Sequence, residues 1–265
     1  MNQLSTGKKI SKPSDDPVIA MNGMSYRTEV TQVKQFQRNV GEVHNWFDNS
    51  DAALDKVTKT LQRVRELTVQ VSNGTYDDNQ KISVSKEMEQ LNEHLKELAN
   101  TQVNDKYIFN GAKTETPPVD KEGNITFVST AVEMEISKGT LIPVNVNGQD
   151  VFGSEEESNV FSTIDDLVKT LNEGGDLDNF LGDLDTHINN VINTRADLGA
   201  RMNRLELVEH RLGEQEVIAT QMMSNNEDVD FSKAITELIT QESLHRAALS
   251  AGSRIIQPTL LDFLR

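Results

Sequence analysis

The sequence predicts a mainly α protein: an elongated rod of antiparallel coiled coil or helical bundle that carries a small inserted β-rich domain. Three observations predict it. Two proline-free stretches, 18–116 and 144–257, permit very long helices, since a proline inside a helix costs about 3 kcal/mol. Along both, apolar residues recur alternately three and four apart, which is the spacing of a coiled-coil seam. Between them, 111–153 is richer in glycine and alternates apolar with polar residues, the period of a strand.

Residues 1–17 contain Pro13 and Pro17 and read as an extended segment. The first helix follows, with 18–110 forming a long helix and a returning one. Its seam runs Tyr26, Glu29, Val33, Phe36, Val40, Val43, Phe47, Ser50, Leu54, Val57, Leu61, Val64, Thr68 and Val71, apolar at all but three positions. At 1.5 Å per residue a helix from 18 to 72 spans roughly 80 Å. A break is expected at Asn73-Gly74-Thr75, because an Asn-Gly pair suits a left-handed helix end. The pattern resumes at Val84, Met88, Leu91, Leu95, Leu98 and Gln102.

The β insertion is expected over 111–160. Strands are expected around Ile125 and Phe127, around Val132, Met134 and Ile136, and around Ile142, Val144 and Val146, with turns at Lys121-Glu122-Gly123-Asn124 and Asn147-Gly148. A long helix over 161–223 follows, whose seam begins after Gly174-Gly175. It runs Leu181, Leu184, Ile188, Val191, Arg195, Leu198, Met202, Leu205, Val208, Leu212, Gln215, Ala219 and Met222. Two successive steps of three, ending at Val208, read as a stammer. The polar tract 224–230 then interrupts the pattern. The last segment, 224–265, holds a weaker stripe of Phe231, Ile235, Leu238, Leu249 and Ile256 with no seam partner inside the chain.

Composition excludes several functions. With 26 basic and 42 acidic residues the net charge is -16, the reverse of a nucleic-acid footprint, so no nucleic-acid partner is expected. No window approaches the roughly 18 apolar residues that span a bilayer, so no membrane partner is expected either. Cysteine is absent, which removes disulfides and thiolate chemistry. His44, His94, His187, His210 and His245 lie too far apart for a helical metal site and read as solvated or packed side chains. Adjacent acids such as Asp15-Asp16, Asp77-Asp78, Glu155-Glu156-Glu157 and Asp165-Asp166 read as surface, turns and helix starts. In the insertion Asp120, Glu133 and Asp150 are the candidates for titratable chemistry. No enzyme, cofactor or metal is expected. Trp46, beside the seam residue Phe47, fits either a core flank or a subunit contact, since tryptophan is enriched at interface hot spots.

Leu4-Ser5-Thr6-Gly7-Lys8-Lys9-Ile10, followed by Ser14-Asp15-Asp16-Pro17, resembles the N-terminal signature of flagellins and flagellar hook-associated proteins. Leu61-Gln62-Arg63-Val64-Arg65-Glu66-Leu67 with Asn73-Gly74-Thr75 resembles the family's second signature, in the same order. Asp16-Pro17, Lys106-Tyr107-Ile108-Phe109-Asn110-Gly111 and the ending Leu260-Leu261-Asp262-Phe263-Leu264 resemble the members that join hook to filament.

The resemblance implies a non-catalytic structural protein, exported unfolded through the flagellar channel to the extracellular flagellum. Its implied partners are hook-associated protein 1, flagellin, further copies of itself in a ring and an export chaperone before secretion. It implies subunit contacts at Gln62, Arg63, Arg65, Glu66, Leu67 and Glu87; the competing reading of Arg63 and Arg65 is an exposed face with i,i+4 pairs. It implies assembly or chaperone contacts at Phe231, Ile235, Leu238, Leu249 and Ile256. Family members carry roughly thirty residues ahead of the first signature, with the export signal, so the last helix is expected to be mobile or abnormally packed without them. A short flagellin of the filament body and a generic acidic coiled-coil scaffold are the alternatives.

Overall fold

The computed structural model describes residues 2–72, 77–120, 124–154 and 159–256. The expected break at Asn73-Gly74-Thr75, the Lys121-Glu122-Gly123 part of one turn, the acids 155–157 and the ending Leu260-Leu261-Asp262-Phe263-Leu264 lie outside the described residues. Two compact units form, one from Met1–Lys34 with Gly213–Arg265 and the other from Gln35–Leu212.

Three long helices stand where the seams put them. They are α2 (Pro17–Ser72), α3 (Asp78–Ala99) and α6 (Asp178–Glu227). Asp16 starts α2, its Oδ1 accepting from the Val18 and Ile19 amides at 2.9 and 3.1 Å. Pro17 takes the first helical position, where no N–H is needed. In the larger unit, α2 buries Val40, Val43, Phe47, Leu54, Val57, Leu61, Val64 and Val71. From α6 come Leu184, Ile188, Val191, Leu198, Leu205, Val208 and Leu212. The α3 stripe is Val84, Met88, Leu95 and Leu98, with Asn92 buried in place of the half-buried Leu91. Asn92 Nδ2 reaches Phe161 O at 3.3 Å and Asp165 Oδ1 at 2.7 Å, so a side-chain amide ties α3 to α5 (Val160–Glu173).

That helix α5 corrects one expectation. The single helix expected over 161–223 is two, because Gly174 sits at φ +75° and its N–H caps Leu171 O. A left-handed C-cap of this kind ends a helix that the apolar spacing alone would continue. The start is equally local: Asn159 accepts from the Ser162 amide at 2.8 Å.

The insertion holds less sheet than its alternation suggests. Among the described residues the strand pairs are β1 (Gln102–Val103) with β2 (Lys106–Tyr107) just ahead of it and β3 (Glu133–Ser137) with β4 (Thr140–Pro143) inside it, both antiparallel. Asn104 and Asp105 turn the first hairpin at φ 51° and 61°. Around Ile125 and Phe127 there is one isolated bridge, Val119 to Ile125, and no strand. Ile125, Phe127, Ile136, Ile142, Val144 and Val146 are buried as expected, whereas Met134 is half-buried and Val132 exposed, and asparagine side chains supply pairing: Val128 N donates to Asn110 Oδ1 at 3.2 Å and Val132 N to Asn145 Oδ1 at 2.7 Å. Asn147-Gly148, expected as a turn, starts the short helix α4 (Gly148–Phe152), with Asn147 accepting from the Gln149 amide. Phe152 packs against Phe109, Phe127 and Phe161 at ring separations of 5.5 Å, fastening the loops to α5.

In the smaller unit, the segment expected to be extended carries a one-turn helix, α1 (Asn2–Thr6), and α7 (Phe231–Ile256) follows α6 after three residues. The stripe of α2 here is Val30 and Val33, with the expected seam residue Glu29 exposed. The polar tract is mostly helical, since α6 runs on to Glu227.

Candidate assembly surfaces

The N-terminal signature is built into the smaller unit by charge. Lys8 Nζ lies 2.7 Å from Asp228 Oδ1 and 3.3 Å from Glu227 Oε2, and Arg27 Nη2 is 2.6 Å from the same Glu227 oxygen. The Glu227 side chain is 7% exposed. Its pKa is held below the ordinary glutamate value, first by Arg27 and then by Lys8, against the desolvation that opposes it. Asp228 is lowered by its hydrogen bond from Lys8 and then by that from Ser224, while Asp228 raises Lys8. Asp15 holds its own turn, accepting from the Ser11 and Lys12 amides at 3.1 and 2.9 Å.

The second signature lies on α2 in the larger unit, and its arginines reach other helices. Arg63 donates to Glu87 Oε1 on α3 through Nε at 3.0 Å and Nη2 at 2.8 Å, with Glu66 at 3.4 Å. Arg65 donates to both carboxylate oxygens of Asp185 on α6, at 2.6 and 3.2 Å. Both arginines thus make cross-helix pairs in place of the i,i+4 pairs of the competing reading, because a guanidinium can fork onto a carboxylate that a neighbouring helix presents. Glu87 raises Arg63, and Arg65 lowers Asp185. Arg63, Glu66 and Glu87 thus meet at one place and Gln62 is exposed, whereas Leu67 is 2% exposed and belongs to the core. Trp46 is half-buried beside the fully buried Phe47.

Sequence reasoning passed over Arg195, which merely interrupts a seam in the linear pattern. It donates to Asp51 through Nε at 2.6 Å and Nη2 at 3.0 Å, and to Asp55 through Nη1 at 2.8 Å, and both carboxylates hold it strongly protonated. Asp51 and Asp55 sit one turn apart on α2, which was the available signal.

Helix α7 presents the other expected contacts. Asp230 caps it, accepting from the Ser232 and Lys233 amides at 3.0 and 3.2 Å. The segment expected to be mobile or abnormally packed is a regular helix over Phe231–Ile256, yet its stripe is mostly uncovered. Phe231 is 53%, Ile235 46% and Leu249 61% exposed, Leu238 is half-buried, and Ile239 and Leu244 extend the open face. The Ile256 side chain lies outside the described residues.

Among the described residues no cluster of three or more His, Asp or Glu could hold a metal, and no helix is long and apolar enough to cross a membrane. An open groove of about 840 Å³ in the larger unit is lined by amide side chains such as Asn145, Asn147 and Asn190, with Asp150 at its edge. Its arginine, Arg201, is engaged by Asp197 and by Asn145 O. Asp120 accepts from the Asn124 amide and from its Nδ2, both at 2.8 Å, and Glu133 lies exposed on β3. His187 is buried with Nε2 3.3 Å from Thr163 Oγ1, His44 sits 3.1 Å from Glu209 and His94 3.4 Å from Glu97.

The long helices α2, α3 and α6, with two small hairpins between α3 and α6 in chain order, define the class: a mainly helical protein with a small β insertion. The pattern of the bacterial flagellin N-terminal helical region matches residues 1–114, and that of the bacterial flagellin C-terminal helical region matches 181–264. The chain belongs to the bacterial flagellin family. It is 28% identical to flagellar hook-associated protein 3 of Escherichia coli K12, over 94% of this chain and 87% of that one. Its fold is similar to that of a flagellar hook-associated protein from Vibrio parahaemolyticus, with a TM-score of 0.76 at 21% identity, covering 81% of this chain and all of that one. It is also similar to Bacillus cereus FlgL, with a TM-score of 0.66 at 23% identity, covering 76% and 99% of the two chains.

Proposed function

We propose that the chain is a structural subunit of the hook-filament junction of the bacterial flagellum, in contact with hook-associated protein 1 on one side and flagellin on the other, and with copies of itself in a ring. The observation that carries this reading is the open stripe of α7, where Phe231, Ile235 and Leu249 face solvent on a capped helix. An apolar stripe left open by the described residues of its own unit favours burial in an assembly. Before export the same stripe is the surface an export chaperone would shield. The absence of cysteine suits passage through a channel as an unfolded chain.

A deletion strain tests the role. Loss of this product should leave hooks in place and release flagellin into the medium, and the gene in trans should restore filaments. Complementation with Ile235→Asp and Leu249→Asp should fail, although both positions are exposed and the substitutions should change folding stability by less than about 0.5 kcal/mol. Normal filaments in the deletion strain would refute the junction role. Loss of the filament with nothing leaking would point to a flagellin instead.

A further inference from the structure

Helices α6 and α7 are separated by three residues, yet no proline or glycine forces them apart. From 214 to 251 there is neither proline nor glycine. To continue α6, the Val229 N–H would donate to Asn225 O and the Phe231 N–H to Glu227 O. Helical bonding persists up to the break, where Asp228 N still donates to Ser224 O at 2.8 Å, and α7 resumes with Ala234 N donating to Asp230 O at 2.9 Å.

The N-terminal segment occupies the groups in between. Val229 N donates to Gly7 O at 2.9 Å, Asn225 O accepts from Lys9 Nζ at 2.5 Å, and Glu227 O accepts from Lys9 N at 2.7 Å. One donor and two acceptors that a continuous helix needs are thus taken by two residues of the signature. Side chains lock the arrangement: Lys8 on Asp228 and Glu227, and Arg27 on Glu227. Two glycines permit it: Gly7 adopts φ +70°, and Gly23 makes room where a Cβ would stand 2.6 Å from Glu227 Oε1.

We propose that Gly7, Lys8 and Lys9 form a strap that splits one helix into α6 and α7. With the strap docked the joint is broken, and with the strap removed α6 and α7 wind as a single helix. The intervening Ser224, Asn225, Asn226, Asp228 and Asp230 are indifferent helix formers that also cap well, which keeps the two states close in free energy and lets the strap decide between them. The direction in which α7 leaves α6 is therefore set by docking of the N-terminal signature. This inference stands independently of the junction role.

Because the chain has no cysteine, Thr220→Cys and Thr240→Cys, both at exposed positions, accept a pair of nitroxide labels without other changes. In one continuous helix their backbone separation is about 30 Å. With the strap intact the distance distribution should lie away from that value. Deleting residues 2–10 should move its main peak to about 30 Å while the Val229 amide stays protected from exchange, its bond passing to Asn225 O. An unchanged distribution, a broad one with Val229 unprotected, or an intact chain already at 30 Å would overturn the proposal. Should the deleted chain lose its helical signal, Lys8→Glu decides: it should shift part of the distribution, and adding Asp228→Lys should return it. No shift from Lys8→Glu would likewise overturn the proposal.

Discussion

Truncation of Phe152 to alanine should be among the most damaging single changes in the larger unit. The side chain is fully buried, and its ring meets Phe109 edge-on and Phe127 and Phe161 in stacks, each at 5.5 Å. Removing a buried phenylalanine costs about 3–5 kcal/mol, and the three ring contacts, each worth roughly 0.5–1.5 kcal/mol, place this site toward the upper end. The neighbours sit on separate elements, a loop end, an asparagine-pinned loop and α5, and cannot all close on the void. At roughly 2–4 °C per kcal/mol for a unit of this size, the melting temperature should fall by about 10–15 °C. Urea unfolding can be followed by far-UV circular dichroism and by Trp46, the chain's one tryptophan, on α2 of the same unit. Both transitions should move together, and Phe152→Leu should cost less than about 1.5 kcal/mol. A loss below about 1 kcal/mol, or a Trp46 transition that stays put while the dichroism shifts, would refute the idea that this cluster couples the loops to the helices.

Two further outcomes follow from burial. His187 is held below its ordinary pKa by desolvation, partly offset by Asp183, so the unfolded chain takes up the proton first as pH falls. Stability should be level above about pH 6.5 and decline below it, and His187→Gln should flatten that slope in urea midpoints measured from pH 8 to pH 5. Glu227, Asp228, Asp185 and Asp55, all with lowered pKa values, lose their contribution only at more acid pH. Gly148→Ala would set a Cβ 2.3 Å from Phe127 Cδ1 and 2.6 Å from Phe109 O, so a thermal melt should show a loss of about 1–3 kcal/mol; an unchanged melt would contradict the close approach.

The long helices were legible because a seam is a one-dimensional signal: Phe47, Leu54, Leu61, Leu184, Val191 and Leu198 announce their burial by spacing alone. Helix α5 is equally periodic, at Phe161, Ile164, Val168 and Leu171, but although Gly174-Gly175 reads as a turn ahead of the next seam, only the structure shows Gly174 as a left-handed cap that makes α5 a separate helix. The candidate contacts divide in the same way. The α7 stripe could be read from its periodicity, whereas the partners of Arg63, Arg65 and Arg195 lie 24, 120 and 140 or more residues away.

The amino-acid order by itself determined where the long seam-bearing helices wind, which face of each is apolar, and that no thiol chemistry takes part, since these depend on neighbours within a turn or two and on composition; the short helices α1 and α4 and the end of α5 were not legible in it. Only the tertiary structure decided where pairing groups come from over long separations: asparagines standing in for strands in the insertion, arginines forking onto other helices, and residues 7–9 taking the backbone bonds of 225–229. Such choices depend on which donor reaches an acceptor first in space, and that information is absent from any local window of the chain.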